Sequence, residues 1–363
     1  MTLDDLETPA AVVDVDRMDA NLRRAGEYVR AHGLAWRPHA KTHKTAALAA
    51  EQVAAGAIGV TVATPREAEV MAQAVDDLLV AYPVIGRSKL ERLMALPAHV
   101  RLTVGLDSRE ALAGLAEAAR AAGRRVGVLV EVDAGMHRVG VQTPDDAVAL
   151  ARAVAEAEGV EYRGVMFYPG HVRMRVEEQD EPIRALSATV RRVVHALTEA
   201  GLPPQVVSGG STPTFWRSHE IECLTEVRPG TNIFNDRTTA VIGACGWDEN
   251  AYSVLASVVS TSVPGQAVVD AGSKALAYEE LRGTGGGYGA LLDRPEVVVK
   301  GLSEEHGLLD LSATDWRPRI GERVRIVPNH VCASVNLQER IWGIRGDEVV
   351  TEWEVEGRGR RPL

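Results

Sequence analysis

Cysteine is scarce in this chain: Cys223, Cys245 and Cys332 are the only three. An odd and small number excludes a paired disulfide framework and points to a reducing cytoplasm. Excess positive charge is also missing. The formal net charge is −10, which argues against a general nucleic-acid binder. Long hydrophobic runs are lacking too. No stretch approaches the roughly 18 apolar residues of a membrane span, and Ala-rich stretches such as Ala111–Ala122 are interrupted by charges. The opening residues MTLDDLETPA hold neither a basic nor an apolar segment, so no secretory signal is expected. No G-x-G-x-x-G follows the first candidate strand, which weakens a dinucleotide-binding doubly wound sheet. The Gly283–Gly289 run is followed by no Lys-Ser/Thr, so it is not a P-loop and reads as a mobile loop.

The 363 residues are 45% hydrophobic and 25% charged, a soluble composition with material for one large domain and a smaller one. Candidate strands are Ala10–Val15, Leu34–Arg37, Ile58–Val62, Leu78–Tyr82, Arg101–Leu106, Val126–Val132, Tyr162–Phe167, Gln205–Ser208 and Leu224–Val227. Helical patterns lie between most of them, and several end at Gly33, Gly56, Gly123 or Gly201, the left-handed cap position. Such alternation means parallel strands with crossover helices. With Ala10–Val15 placed elsewhere, the other eight strands close a (β/α)8 TIM-like barrel over residues 8–240. Residues 241–363 read as a C-terminal β-domain of turn-separated strands, with which residues 1–15 are able to pack.

Six segments carry candidate chemistry. In Arg37-Pro38-His39-Ala40-Lys41-Thr42-His43-Lys44, Lys41 follows a barrel strand among other cationic groups. Crowded cations favour a neutral amine, the form that attacks a carbonyl cofactor. The loop Ser208-Gly209-Gly210-Ser211-Thr212 offers backbone N–H groups and hydroxyls to a phosphate. Arg228-Pro229-Gly230-Thr231-Asn232, past the next strand, supplies the rest of that cradle. Arg138, in Glu131–Val141, suits a carboxylate or phenolic oxygen, with a salt bridge to Asp133 as the plainer alternative. His171, after Tyr168-Pro169-Gly170, is a candidate base. In Val327–Asn336, read as extended, His330 and Cys332 fall on one face and make half of a metal site, with a buried Cys and a surface His on an ordinary strand as the plainer alternative; the Cys favours Zn²⁺. The polar turns Asp270–Lys274 and Ser303–Gly307 are candidates to reach the site, and Cys223 and Cys245 read as buried thiols.

These segments, in this order, resemble the fold-type III pyridoxal-phosphate enzymes of the D-threonine aldolase and D-serine dehydratase family, relatives of alanine racemase. The resemblance spans nearly the whole chain. It implies that Lys41 carries pyridoxal 5'-phosphate, with His39, Arg138 and Tyr168 beside it. It implies that Gly209, Gly210, Ser211, Thr212, Gly230, Thr231 and Asn232 hold the phosphate. It further implies a divalent metal on His330 and Cys332, Zn²⁺ ahead of Mn²⁺ or Mg²⁺, and a homodimer acting on a small D-amino acid. Lys41, His171 and Arg138 are the expected catalytic residues. Retro-aldol cleavage of D-threonine to glycine and acetaldehyde is the leading activity. Dehydration of D-serine to pyruvate and ammonia is the alternative, favoured by the His-x-Cys pattern, since many aldolase-side sequences resemble His-x-Asp. A metal-free racemase and a non-catalytic pyridoxal-phosphate homeostasis protein are further readings.

Overall fold

Short, wholly apolar strands set the first half of the architecture. In Val126–Glu131 all six residues are buried, as happens when both faces of a strand are covered. The computed structural model describes residues 1–281 and 286–359. Its elements run Ala10–Asp14 (β1), Val15–Ala31 (α1), Ala35–Trp36 (β2), Ala46–Ala54 (α2), Val60–Val62 (β3), Pro65–Met71 (α3), Asp77–Val80 (β4) and Arg87–Met94 (α4). They continue with Arg101–Leu106 (β5), Arg109–Ala121 (α5), Val126–Glu131 (β6), Pro144–Glu156 (α6), Val160–Met166 (β7), Asp180–Glu199 (α7), Val206–Gly209 (β8) and Glu226–Val227 (β9). The cap glycines Gly33, Gly56, Gly123 and Gly201 all have positive φ, between 63° and 111°.

Strands β2 to β9 form one eight-stranded parallel sheet in the order β2-β9-β8-β7-β6-β5-β4-β3. Backbone bonds link its two ends: Ile58 N–H to the Trp36 carbonyl, Thr61 N–H to that of Pro38, and Ala40 N–H to that of Thr61, each at 2.8 Å. The sheet therefore closes as a TIM-like barrel. Inside, Leu79, Leu129 and Met166 pack together, with Val206 against them. A side chain on Gly105 would meet the Met166 sulfur at 2.3 Å, so a glycine leaves room for this layer.

Contacts divide the chain into two units. One is Arg24–Gly230, which holds the barrel. The other joins Met1–Arg23 to Thr231–Arg358. Its later elements are Arg237–Val241 (α8), Tyr252–Ser260 (β10), Gln266–Val269 (β11), Ser273–Leu276 (α9), Gly289–Leu291 (β12), Val299–Leu302 (β13), Gly307–Asp310 (β14), Arg323–Pro328 (β15), Val331–Val335 (α10), Arg340–Arg345 (β16) and Glu348–Glu354 (β17). Their sheet has the order β13-β14-β11-β10-β1-β16-β17, and β15 pairs with β10 and β12. β1 lies antiparallel to β10, with Ala10 opposite Leu255, and parallel to β16, with Val12 opposite Trp342. Leu3, Leu6, Ala10, Val12, Leu255 and Ile344 cluster on one of its faces.

Three expectations are corrected. Part of the glycine run read as a loop is strand: Gly289 opens β12, opposite Pro328, where a side chain would meet the Val327 carbonyl at 2.9 Å. Gly283–Gly285 lie outside the described residues. The extended segment ends at Pro328, after which His330 sits at the N-cap of α10 and Cys332 inside it. Cys223 is exposed rather than buried, because it occupies a tight turn before β9 with φ 66°.

Candidate active site

Five loops at the C-terminal ends of barrel strands, where such folds keep their chemistry, supply the first group of residues. The loop after β2 folds into a turn closed by Lys44 N–H on the Ala40 carbonyl at 2.8 Å. Its two lysines have different surroundings. Lys44 Nζ meets Glu67 Oε1 at 2.7 Å in an almost buried ion pair, and the other oxygen of Glu67 accepts the Ala63 N–H at 2.7 Å. Among the described residues Lys41 makes no ion pair; its Nζ stands 5.8 Å from the centre of the Tyr168 ring. Arg138 Cζ lies 5.1 Å from the same ring. Asp133 is engaged elsewhere, by the N–H groups of Gly135 and His137 at 2.9 and 3.0 Å and the His137 ring at 3.0 Å, so the salt bridge to Arg138 is not formed.

His39 accepts the Lys41 backbone N–H at 3.4 Å. Burial, reinforced by Lys41, Arg228, Lys44 and His43, holds it well below its usual value, so it is neutral. His43 is fully enclosed: its Nδ1 accepts the Thr45 N–H at 3.1 Å and its Nε2 faces Gln52 Oε1 at 3.1 Å. Burial takes it down to about 4. The unfolded chain binds this proton near pH 6.5, whereas the folded chain resists it to about 4. The stabilisation is therefore complete above pH 6.5 and lost as pH falls towards 4, by roughly 3 kcal/mol. Denaturant melts of wild type and His43→Asn at pH 7.5 and pH 5 check this: the variant is expected to lose less stability on acidification.

The phosphate-cradle candidates come next. Ser211 and Thr212 are buried, at 5% and 6% exposure, despite their hydroxyls. Thr212 Oγ1 accepts the Gly230 N–H at 3.3 Å, tying the loops after β8 and β9 together. Gly210 has φ 85°, open to glycine at little cost. At Gly230 a side chain would meet the His39 carbonyl and Thr42 Oγ1, each at 2.9 Å, so this loop lies directly on the lysine turn. In the following residues, Asn232 is buried and neither its Oδ1 nor its Nδ2 has a partner. An orphaned buried amide of this kind is costly unless a polar group arrives to meet it. The two glycine-opened loops, tied together through Thr212 and resting on the lysine turn, fit an anionic cofactor that reacts with a lysine.

His171 is exposed and lies against Gly135, whose Cβ position is 3.0 Å from the ring. Burial, with His137 and Arg173 against Asp133, lowers it, so it is a neutral acceptor at pH 7. No hydrogen bond joins it to Lys41 or Arg138 among the described residues.

Of two further charged residues at this end, the sequence assigns Glu131 no role and places Arg228 only within the phosphate loop. Glu131 closes β6 and is buried, with Oε2 lacking a partner. Burial lifts its carboxyl to about 7, against the pull of Arg228 and Arg138 and with help from Asp107. Arg228 is buried and donates to Ser208 Oγ at 2.6 Å and to the Phe167 carbonyl at 2.9 Å. A lone carboxylate ending an all-apolar strand was the available signal for the first.

In the other unit His330 and Cys332 converge despite the corrected backbone, close enough for Cys332 to favour the charged form of the imidazole. Thr231 Oγ1 is 3.8 Å from Cys332 Sγ. Burial opposes a charge on His330, but Cys332, Glu279 and Asp236 outweigh it and raise the ring to about 11. An imidazole and a thiol side by side are a borderline-soft donor pair suited to Zn²⁺. No cluster of three or more His, Cys, Asp or Glu side chains able to hold a metal occurs among the described residues, so a cation here would have water or substrate completing its shell. The turns Asp270–Lys274 and Ser303–Gly307 bind one another, with Lys274 Nζ 2.8 Å from Glu304 and 2.9 Å from Glu305.

Residues 13–238 match the family model "Alanine racemase, N-terminal domain", and residues 251–344 match a serine dehydratase-type domain. The 3-hydroxy-D-aspartate aldolase of Paracoccus denitrificans is 32% identical, over 98% of this chain and 93% of its own length. The D-threo-3-hydroxyaspartate dehydratase of Delftia sp. is 36% identical, over 97% and 98%. Among solved structures, D-threonine aldolase from Filomicrobium marinum superposes with a TM-score of 0.92 at 34% identity, over 99% of this chain and 97% of that one. A cysteine-to-alanine variant of D-threo-3-hydroxyaspartate dehydratase in the metal-free form gives 0.88 at 33% identity, over 98% of both.

Proposed function

Because the chain belongs to the pyridoxal-phosphate-dependent D-threonine aldolase and D-serine dehydratase family and is a lyase of that family, we propose that it cleaves D-β-hydroxy amino acids, converting D-threonine to glycine and acetaldehyde. The observation that carries this reading is the likeness to a D-threonine aldolase along 99% of the chain. The match of residues 251–344 runs against a binder made of the barrel alone.

Pyridoxal phosphate, when bound, supplies an electron sink for charge left at Cα, and a divalent cation supplies Lewis acidity at a hydroxyl oxygen. The protein's own groups then divide the remaining work. Lys41 offers its unpaired amine to the cofactor carbonyl. Gly209, Gly210, Ser211, Thr212 and Gly230, followed by Thr231 and Asn232, provide the donors for the phosphate. Arg138, over Tyr168, grips a carboxylate or phenolic oxygen in bidentate fashion. His171 takes the proton from the β-hydroxyl oxygen, as its neutral ring permits. His330 and Cys332 hold the cation.

A second reading has a specific observation behind it: the metal pair contains a cysteine, and the 36%-identical relative is a dehydratase. In that case Lys41 removes the α-proton and the β-hydroxyl departs, D-serine giving pyruvate and ammonia. We further propose a homodimer, to be read by light scattering.

Purified protein loaded with pyridoxal phosphate and Zn²⁺, given D-threonine and D-serine with and without EDTA, tests the assignment. Acetaldehyde and glycine, falling at least about tenfold with chelator, are the expected result. Pyruvate from D-serine alone would move the assignment to dehydratase. Inertness towards both would sink it.

A further inference from the structure

Glu279 carries no role in the scheme above, yet two separate contacts hold it to the metal-pair segment. Its carboxylate Oε2 lies 2.8 Å from His330 Nδ1. Its backbone carbonyl accepts Asn329 Nδ2 at 2.9 Å. Asn329 is itself immobilised. It is 1% exposed, donates a second hydrogen bond to the Gly287 carbonyl at 2.7 Å, and accepts from Arg237 Nη1 at 3.2 Å. Its own carbonyl receives Thr238 Oγ1 at 2.6 Å. The backbone beyond His330 is fixed as well, since Asp236 Oδ2 accepts the Val331 N–H at 3.2 Å and Oδ1 is occupied by Thr239.

We propose that Glu279 is the positioning residue of the metal pair: its carboxylate accepts a hydrogen bond from Nδ1–H of His330, fixes the ring's tautomer and rotation, and leaves Nε2 as the donor atom for a divalent cation. A carboxylate behind a ligating imidazole restricts the ring to one orientation and makes its free nitrogen a better donor. Asn329 serves the same end by fixing the backbone on which the carboxylate is carried. Glu279 binds through His330 and is not itself a metal ligand. The inference rests on the reading of His330 and Cys332 as the metal pair.

Zn²⁺ and Co²⁺ affinities of the cofactor-loaded protein, measured by competition with a chelating dye, test it in wild type, Glu279→Gln, Glu279→Asp, His330→Ala and Cys332→Ala. Glu279→Gln is expected to bind both metals about 10- to 100-fold more weakly. The Co²⁺ d–d spectrum should keep its wild-type shape, because the set of ligands is unchanged. Glu279→Asp should recover part of the affinity. Unchanged affinity in Glu279→Gln would overturn the proposal, and so would a Co²⁺ spectrum showing that a ligand had been lost. Full affinity in His330→Ala and Cys332→Ala would instead remove the metal pair on which it depends.

Discussion

Lys41→Ala is expected to leave the protein folded, colourless after addition of pyridoxal phosphate, and slower by on the order of 10³-fold or more. The turn that carries Lys41 does not depend on this side chain. Backbone bonds at Ala40 and Lys44 close it, and Thr42 and His43 anchor it as buried residues. The amine itself stands over the Tyr168 ring and makes no ion pair among the described residues. Lys44→Ala makes the reciprocal control. It strips the ion pair from Glu67, a carboxylate 1% exposed, so it should lower the melting temperature. Visible absorbance, turnover and thermal melts on both variants separate the two lysines. A Lys41→Ala protein that stayed yellow and active would remove the foundation of the scheme.

Arg37→Ala should destabilise the barrel by about 3–5 kcal/mol, the usual consequence of removing one partner from a buried ion pair. Arg37 is 7% exposed and joins two carboxylates, through Nη1 to Asp77 at 2.6 Å and through Nε to Glu226 at 2.9 Å. Glu226 is also reached by Ser208 Oγ at 2.5 Å, and Ser208 in turn by Arg228. Asp77 has a second partner in Arg101 at 2.6 Å. Loss of Arg37 therefore strands Glu226, with one hydroxyl left to it, far more than Asp77. The double variant Arg37→Met, Glu226→Gln removes both charges and should recover much of the loss. Urea melts of the three proteins check this. A single variant as stable as wild type would mean that solvent reaches the pair.

What could be read in advance followed from periodicity and punctuation. Residues such as Val126–Val130, apolar without interruption, announce a strand covered on both sides, and Gly33 or Gly123 mark where a helix stops. Lys41 and the Ser208–Thr212 loop were legible because each directly follows such a strand. What escaped notice depended on partners distant in the chain. Glu279 is 51 residues from His330 and stands in a stretch with no motif. Glu131 looks like any strand end until burial and two arginines surround it. The bend at Pro328–His330 was hidden because the residues before it alternate as a strand does, and a proline at a strand end gives no sign of the short helix that follows. Cys223 was misjudged from residue type alone, which says nothing about a left-handed turn.

The position of β1 has a consequence for how the protein is made. Ala10–Asp14 is synthesised ahead of every barrel strand, yet its neighbours in the sheet are Tyr252–Ser260 and Arg340–Arg345. The barrel strands are all synthesised in between and find their partners within Arg24–Gly230. During synthesis the barrel can therefore form early, while an apolar strand upstream of it waits, with both edges open, until its partners beyond the barrel are translated. A nascent chain halted before residue 340 carries that strand without its β16 partner, which makes it a natural client for chaperones and a seed for aggregation when translation stalls.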